Sequence, residues 1–260
     1  MNTQPKRNLL AGVLSARMGL AACALAAMFY PATAYATYSI VAVDRATGQV
    51  GGAGASCVGS FSVRNIYGVA PGYGAVHAQA SLSTAGRNRA VLRLFEGTDP
   101  ADIIAEITSP AFDPSAGVRQ YGVVDLMGRA AGFTGRQTTS YTEDRQGSVD
   151  SYTYSMQGNI LTSRLVLDYA EIAFQGLGCD LADKLMWALE FGALFGEGDR
   201  RCTPRGIPAD SAFIEVELPE GEGTFLRFEV TASGPYDPVA WLRALYDVWR
   251  AENPCPVPAK

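Results

Sequence analysis

TYSIVAVDRATGQVGGAGAS, at residues 37–56, is the stretch of sequence that decides the fold. Residues 37–44 alternate in polarity and are rich in β-branched side chains, which predicts a strand. Residues 45–48 (RATG) predict a turn, and residues 49–57 (QVGGAGASC) predict its antiparallel partner. The glycines of the partner indicate that another backbone or a ligand comes close to it. The sequence therefore predicts a β-hairpin that begins at Thr37.

The 36 residues before this hairpin have the pattern of a secretory signal peptide. The start is basic, with Lys6, Arg7 and Arg17. The apolar run at 18–29 is about a dozen residues long, too short for a membrane span of about twenty. Ala34 and Ala36 supply the small residues that a signal peptidase reads. Cleavage after Ala36 would make Thr37 the first residue of a periplasmic or secreted chain.

Two other processing routes are open. The tripeptide at 32–34 (ATA) also reads A-x-A, and cleavage there would leave Tyr35 first. The stretch at 20–23 (LAAC) resembles a lipoprotein box, which would anchor the chain through Cys23. Arg17 argues against that box because it would sit inside the apolar run that must precede the cysteine. The preferred interpretation is a signal peptide over residues 1–36 and a mature chain over 37–260.

Charge and length limit the class of protein. The whole chain has 21 basic and 26 acidic residues and a net charge of −5. Removing the first 36 residues takes away three basic ones and leaves 18 basic and 26 acidic, or −8. Nucleic-acid binding depends on neutralising phosphates, so we expect none. No later stretch is apolar enough for a membrane span. The remaining length suits one domain with a sizeable core.

Four cysteines remain in the mature chain, at Cys57, Cys179, Cys202 and Cys255. An even number in an oxidising compartment suggests disulfides, and three pairings are available. Cys179 and Cys202 flank one predicted helix, which favours that pair and leaves Cys57 for Cys255. Alternatively, Cys57 and Cys255 are free and buried. With no C-x-x-C and a single histidine, we expect neither a metal site nor a cofactor.

The remaining elements alternate between pairs of strands and pairs of helices. Further strands are predicted at 74–81, 119–125, 129–134, 151–157, 211–218 and 225–231. Helices are predicted at 87–96, 99–109, 163–174, 180–195 and 237–250. Residues 135–150 and 196–210 are predicted loops. This order favours an α+β fold of mainly antiparallel sheets covered by helices, in a single domain, and disfavours a Rossmann sheet.

The common hydrolytic motifs are absent from the sequence. His77 is the only histidine, so a serine–histidine dyad would have to use it. It lies inside a predicted strand, where a packed histidine is the simpler interpretation. Neither G-x-S-x-G, H-E-x-x-H nor the P-loop pattern occurs.

One nucleophile needs no histidine. An N-terminal threonine uses its own α-amino group as the base. That group has a reference pKa of about 7.7–8.0, so a useful fraction is neutral near pH 7. Thr37 qualifies only if cleavage makes it the first residue. Otherwise it is an ordinary strand residue.

Several segments together resemble one family. They are residues 37–56, GVAPGYGAVHAQA at 68–80, RQYGVVDLMGRAAGFTG at 119–135, MQGNIL at 156–161, GDRR at 198–201 and DSAFIEV at 210–216. The chain resembles the domain-of-unknown-function 1028 family, which is placed in the Ntn-hydrolase (N-terminal-nucleophile) superfamily. The resemblance implies a four-layer αββα sandwich. Cytosolic relatives typically start Met-Thr, so two processing routes would expose the same threonine.

The resemblance also suggests the remaining site residues. Asn159 and Gln79 are candidates to donate to an oxyanion or to orient the amine, or else they satisfy backbone groups at strand ends. Ser39 and His77 are candidate substrate-binding residues, and Ser39 shares the face of Thr37. Ser39 is otherwise a core residue.

Asp199 and Arg200 complete the candidate substrate-binding set. They bind a polar substrate or form a structural ion pair. Cys57 stands where relatives often have a basic or small residue. The lysine that lowers the amine pKa in proteasome-like members has no clear equivalent, and Arg64 is the one substitute suggested.

The sequence thus predicts an exported amidohydrolase that cleaves a small amide or peptide bond through an acyl-enzyme on Thr37. The missing basic partner favours an alternative, a catalytically inactive exported binding or scaffold protein on the same fold. A third and weaker alternative is a lipid-anchored form. A homodimer is compatible with the sequence, although no residue identifies an interface.

Overall fold

A computed structural model describes Met1 and residues 37–255, apart from 220 and 233. The predicted signal peptide, its alternative cleavage sites and Cys23 therefore lie outside the described residues. The described fold begins with a strand at Thr37, the first residue of the predicted mature chain.

Ten strands form two antiparallel sheets in the described part of the chain. The strands are β1 (Thr37–Asp44), β2 (Gln49–Ser56), β3 (Tyr67–Ala70), β4 (Gly74–Ala80), β5 (Arg119–Asp125), β6 (Ala130–Thr134), β7 (Glu143–Val149), β8 (Tyr152–Asn159), β9 (Ser211–Glu217) and β10 (Thr224–Thr231). The first sheet has the order β10-β9-β2-β1-β8-β7, and the second has the order β3-β4-β5-β6.

Five α-helices cover these sheets in the same described range. They are α1 (Thr84–Phe95), α2 (Pro100–Ile107), α3 (Leu165–Gly176), α4 (Leu181–Phe191) and α5 (Pro238–Glu252). One apolar cluster joins α3, α4 and α5 to the six-stranded sheet, and a second joins α1 and α2 to the four-stranded sheet. A third cluster lies between the sheets. The α+β class and the antiparallel sheets are confirmed.

The described helices are also short. The longest, α5, has 15 residues. At 1.5 Å per residue it is about 22 Å long, less than a bilayer core of about 30 Å. No helix in the described ranges is both long and apolar enough to cross a membrane.

The β1–β2 hairpin is the predicted one, with Thr37 opposite Ser56. Both faces of β1 are buried. Tyr38 and Ile40 pack in the cluster beneath the helices, whereas Val41 packs between the sheets. This alternation fixes the register, because a slip of one residue would exchange the two faces. Thr37 and Ser39 consequently face the second sheet.

Two strands were not predicted from the sequence. Within the predicted loop 135–150, β7 pairs with β8 at the edge of the six-stranded sheet. Its sequence, EDRQGSV, lacks alternating apolar residues. Charged side chains are typical of edge strands because they oppose pairing with another chain. The second missed strand, β3, has only four residues.

The four cysteines in the described residues form two disulfides, but the favoured pairing is wrong. Cys57 bonds to Cys202, and Cys179 bonds to Cys255, with Cα atoms 5.7 and 5.8 Å apart. Helix α4 separates Cys179 from Cys202 by 11 helical residues. A helix of that length holds its two ends about 16 Å apart, beyond the 4.4–6.8 Å that a disulfide spans. Cys179 and Cys202 could therefore meet only if residues 192–201 returned along α4, and in the structure Cys202 lies beside Cys57 instead.

Removing the Cys57–Cys202 bond is expected to destabilise the domain. The bond closes a loop with a sequence separation of 145 residues. In the double variant Cys57→Ala/Cys202→Ala, we expect the free energy of unfolding to fall by about 2–5 kcal/mol. Urea unfolding followed by tryptophan fluorescence measures it.

The second disulfide provides the comparison. Cys179→Ala/Cys255→Ala opens a loop with a separation of 76 residues, so the loss should be about 0.6 kcal/mol smaller. An unfolding midpoint unchanged by loss of the Cys57–Cys202 bond would contradict this prediction.

Candidate functional site

Thr37 lies between β2 and β8, with Ser56 and Asn159 as its register partners. Its hydroxyl donates to Ser56 Oγ at 3.1 Å, and both residues are fully buried. Ser211 and Thr231 continue the row on β9 and β10, with their hydroxyls 3.3 Å apart. A row of four hydroxyl residues therefore crosses the sheet at the level of Thr37.

A small cleft adjoins Thr37, with a cavity volume of about 10 Å3, which is room for about one water molecule. Its polar wall is formed by Thr37, Ser56 and Gln79. The other lining residues are apolar: Val58, Phe61, Val63, Ile66, Ala80 and Leu82. The predicted nucleophile therefore lies at the wall of a cavity rather than in the middle of a packed core.

Three amide side chains join the two sheets beneath this cleft. Gln79 on β4 donates from Nε2 to the carbonyl oxygen of Thr37 at 3.3 Å and to Gln120 Oε1 at 2.8 Å. Asn159 on β8 donates from Nδ2 to the same Gln120 oxygen at 3.2 Å. Gln120 in turn donates to the carbonyl oxygen of Gly158 at 2.9 Å. Thr37 is therefore positioned by side chains from both sheets.

These contacts distinguish between the two roles predicted for Gln79 and Asn159, which are oxyanion binding and orientation of the amine. An amide nitrogen has two hydrogens, and both hydrogens of Gln79 are already used. Gln79 therefore fits the positioning of Thr37 and not oxyanion binding. Asn159 has one described donor contact, and its Oδ1 is buried without a hydrogen-bond partner. Asn159 thus retains an acceptor next to the strand that begins at Thr37.

The backbone is strained immediately after both of these amides. Ala80 follows Gln79 with φ 63°, and Ile160 follows Asn159 with φ 52°. This left-handed region is uncommon for residues other than glycine, and costly for a β-branched side chain. Such strain persists only where the surroundings impose it, and it is concentrated at functional sites. Here it ends β4 and β8 at the level of Thr37.

The structure places Ser39 and His77 below the cleft, between the sheets. Ser39 Oγ donates to Gln79 Oε1 at 2.6 Å and lies 2.8 Å from His77 Nδ1. Gln157 Nε2 donates to Ser39 Oγ at 2.7 Å. Neither Ser39 nor His77 lines the cleft. Their contacts support Gln79 from beneath, and they do not place these side chains against a substrate in that cleft.

The Ser39–His77 contact does not have the properties of a catalytic dyad. Burial lowers the pKa of His77 to about 3, which makes the ring a weak base. Its Nε2 is buried without a partner, so no carboxylate orients the ring. Room for the ring comes from Gly52 on β2, where a Cβ would lie 3.0 Å from Nε2 and 2.7 Å from Tyr67. The packed-histidine interpretation agrees with this environment.

The depressed pKa of His77 predicts an acid-dependent loss of stability. The ring is neutral in both states above about pH 6.5. Between pH 6.5 and 3 the unfolded chain binds a proton that the folded chain does not. The free energy of unfolding therefore decreases by about 1.4 kcal/mol for each unit by which the pH is lowered in this window. We expect His77→Gln, in protein without a histidine tag, to remove that component.

The measurement is the free energy of unfolding of wild type and His77→Gln in urea at pH 6.5 and pH 4.5. Wild type should lose about 2–3 kcal/mol more than the variant over this interval. Burial raises the pKa of Asp199, Glu190 and Glu217. These carboxyl groups add stability as the pH is lowered, which opposes the effect of His77, but they do so equally in both proteins. Parallel pH curves for the two proteins would refute the prediction.

Asp199 does not line the cleft, and its contacts are structural. Its carboxylate accepts from the Cys57 backbone N–H at 2.6 Å and pairs with Arg201 at 2.9 Å. Burial raises the pKa of Asp199 even though Arg201 opposes this. Arg200 is exposed, and its backbone N–H donates to Ile160. The ion pair suggested for Asp199 and Arg200 is therefore formed by Arg201 instead.

The suggested cationic partner of Thr37 is engaged elsewhere. Arg64 pairs with the buried Glu215, with Nη2 2.9 Å from Oε1. On β9, Glu215 is four residues beyond Ser211, about 13 Å along the strand from the level of Thr37. Lys184, the one lysine in the described ranges, donates to carbonyl oxygens at the end of α3. Arg64 therefore does not serve as the lysine substitute.

Taken together, these features define a two-sheet α+β protein with a buried polar centre at the start of its first strand. Residues 37–236 match the family of unknown function DUF1028. The chain belongs to this family, and the match begins at Thr37.

A solved structure gives the same fold. The crystal structure of protein SPO2555 from Silicibacter pomeroyi, assigned to DUF1028, superposes with a TM-score of 0.67 at 24% identity. The alignment covers 83% of this chain and 89% of that one. At this identity the likeness concerns the fold alone. No curated protein matches the chain.

Proposed function

We propose that this protein is an exported N-terminal-nucleophile amidohydrolase with the four-layer αββα sandwich of the Ntn-hydrolase superfamily. Signal-peptide cleavage after Ala36 would give a mature chain whose first residue is Thr37. The observation that carries the proposal is the position of Thr37: it opens a central strand at the wall of a cleft, and amides from both sheets surround it. Two disulfides also suit an oxidising compartment.

The proposed reaction uses the two functional groups of one residue. In the uncleaved chain the nitrogen of Thr37 is a peptide amide and has no basic lone pair. After cleavage, the neutral α-amino group takes the hydroxyl proton, directly or through one water, as Oγ attacks the substrate carbonyl. The C–N bond breaks, the leaving amine receives that proton, and an ester forms on Thr37.

Hydrolysis of the ester completes the cycle. Water attacks the ester carbonyl and gives a proton to the α-amino group. The C–O bond to Thr37 breaks, Oγ regains a proton, and the carboxylic acid leaves. One water is consumed for each amide bond cleaved. Asn159 Oδ1, a buried acceptor without a partner, would accept a hydrogen bond from the amine and orient it.

A second candidate is an inactive exported binding protein on the same fold. It is favoured by the described surroundings of Thr37, because Arg64 and Lys184 are both engaged elsewhere. Neither of these described cations is therefore placed to lower the amine pKa, and burial of Thr37 is the effect left to move it below its reference of about 7.7–8.0. The hydrolase remains the proposal because that reference value already leaves part of the amine neutral at pH 7.

The deciding experiment has two parts. Mass spectrometry of the exported protein should give a mature N-terminus at Thr37. A threonine-directed electrophile, such as a peptidyl epoxyketone, should then modify Thr37 and no other residue. A start at Tyr35 or Cys23 would refute the hydrolase proposal, and a correct start without labelling would support the binding protein.

A further inference from the structure

Strand β10 forms one edge of the six-stranded sheet. In the described part of the chain it pairs with β9 on one side and with no strand on the other. The backbone N–H and C=O groups on that side can therefore pair with a further strand. The opposite edge, β7, carries three consecutive charged residues that oppose such pairing. By contrast, β10 (TFLRFEVT) is half apolar and contains no proline.

The sequence of β10 is complementary to itself. When the strand is aligned antiparallel with a second copy about Phe228, Arg227 lies opposite Glu229. The same alignment places Leu226 opposite Val230, and each pairing occurs once on either side of the axis. Opposite charges and apolar pairs that lie directly across from each other stabilise an antiparallel ladder. Moving the axis by one residue would instead place Arg227 or Glu229 opposite its own copy, which is destabilising.

The two charged side chains are accessible for this contact. Both Arg227 and Glu229 are exposed. Arg227 uses Nε and Nη2 to bind Glu215, and Nη2 also contacts Glu217. A guanidinium has five N–H donors, so these described contacts leave the two on Nη1 for a further carboxylate.

Helix α5 adds an apolar surface beside the same edge. It packs over both β9 and β10, and its Arg243 stacks on Trp187 of α4 at 4.4 Å. At 3.6 residues per turn, Trp241, Leu245 and Val248 lie on the side of α5 away from α4, over the β10 edge. These three residues, the α5 stripe, are 52%, 37% and 69% exposed.

The α5 stripe lies at the level of the axis through Phe228. Phe225, at the start of β10, contacts Trp249 near the end of α5, so the helix runs antiparallel to the strand. Three strand residues span about 10 Å, or about seven helical residues, which brings Trp241 and Leu245 to the level of Phe228. With strands about 4.8 Å apart, two such helices would lie about 10 Å apart, close to the 8–10 Å of packed helices.

We propose that this edge binds a second copy of the chain, so that β10 pairs with itself about Phe228 and the two α5 stripes pack together. The contact is isologous, because the same surface of each copy meets the other across a two-fold axis. It joins the two six-stranded sheets into one continuous sheet. The dimer does not depend on the proposed catalytic activity.

Sedimentation velocity of the mature protein over a concentration series should show a monomer–dimer equilibrium. Glu229→Arg puts arginines opposite each other at two positions and should weaken the dimer at least about tenfold. Val248→Glu should have a similar effect, because its carboxylates would be buried between the α5 stripes. The matched control is Ile172→Glu on α3, at a position 64% exposed, which should dimerise like wild type.

Cysteine cross-linking tests the register. In folded Phe228→Cys protein the two new thiols would face each other at the axis, and mild oxidation should join the chains. In Thr231→Cys they would be about 20 Å apart and should not react. A monomeric wild type, or a dimer unaffected by both Glu229→Arg and Val248→Glu, would overturn the proposal. So would loss of the dimer in Ile172→Glu, or cross-linking through Thr231→Cys alone.

Discussion

Thr37→Ala is expected to abolish amide hydrolysis by the mature protein, with kcat/KM at least about 1,000-fold lower. The substitution removes the attacking oxygen and leaves the first strand intact. Thr37→Ser keeps both the hydroxyl and the amine, so it should retain activity within about 100-fold of wild type. It loses the methyl group that restricts χ1 of a β-branched residue. Release of a fluorogenic amine from a panel of aminoacyl and peptidyl amides measures all three proteins.

The free amine can be tested separately from the hydroxyl. A glycine inserted between Ala36 and Thr37 would give a mature chain that starts Gly-Thr, with the threonine nitrogen in a peptide bond. We expect this protein to be as inactive as Thr37→Ala. Wild-type kcat/KM should rise with pH as the amine loses its proton, with a midpoint at or below the reference pKa of about 7.7–8.0 because Thr37 is buried. Thr47→Ala is the matched control for Thr37→Ala, because it makes the same substitution at an exposed threonine in the turn of the same hairpin.

Any of three results would count against this assignment. One is an active Gly-Thr protein, because it would show that the amine is not the base. Another is a Thr37→Ala protein as active as wild type, because it would place the nucleophile elsewhere. The third is a kcat/KM that falls between pH 7 and 9, because the neutral amine becomes more abundant over that interval.

The first hairpin was predictable from sequence because both of its signals are local. Alternating β-branched residues mark β1, and the RATG turn marks its end. The glycines of β2 also predicted a close approach. That approach was predicted for a backbone or a ligand, whereas the space at Gly52 is filled by the side chains of Tyr67 and His77. The backbone oxygen of Glu215 near Gly51 belongs to β9, the strand paired with β2. Which groups fill those spaces depends on strands distant in sequence.

The amide network was not predictable in the same way. Gln157 and Asn159 belong to one face of β8, whose alternate residues Tyr154 and Met156 pack in the cluster beneath the helices. A strand with one polar face is typical of a sheet exposed to water on that side. In this fold the polar face of β8 meets the second sheet, and Gln120 from β5 completes its hydrogen bonds.

Three polar residues at the centre were missed for this reason. Ser56 was assigned only to a strand, and neither Gln120 nor Gln157 was named as a site residue. The available signal was their position, since each falls at or near the end of a predicted strand, as Thr37 and Asn159 do. Conversely, Arg200 was predicted as a site residue from the GDRR segment, and it is exposed. Adjacent residues in a loop can point in different directions.

Gln120→Leu is expected to cause a large loss of stability, because this side chain holds the two sheets together at the site. Its Oε1 accepts from Gln79 and Asn159, and its Nε2 donates to the carbonyl oxygens of Gly158 and Glu143. Leucine would leave these buried groups unpaired, at about 1–3 kcal/mol for each one that finds no other partner. We expect the free energy of unfolding to fall by about 3–5 kcal/mol.

Urea unfolding measured by circular dichroism tests this value against a matched substitution. Gln137→Leu removes the same functional group from an exposed loop position and should change stability by no more than about 0.5 kcal/mol. Equal effects of the two variants would mean that the network contributes nothing specific. A loss of stability of no more than about 0.5 kcal/mol in Gln120→Leu would lead to the same conclusion.

Gln120→Leu also tests whether the contacts that stabilise the two sheets affect the reactivity of Thr37. Gln120 does not line the cleft, but it holds Gln79, which holds the carbonyl of Thr37. If that chain of contacts positions the nucleophile, the folded fraction of Gln120→Leu should label at Thr37 at least about tenfold more slowly than wild type, since small displacements of a reacting group are costly. Unchanged labelling in a destabilised protein would instead limit Gln120 to joining the sheets. Labelling measured well below the unfolding midpoint therefore separates the positioning role from the purely structural one.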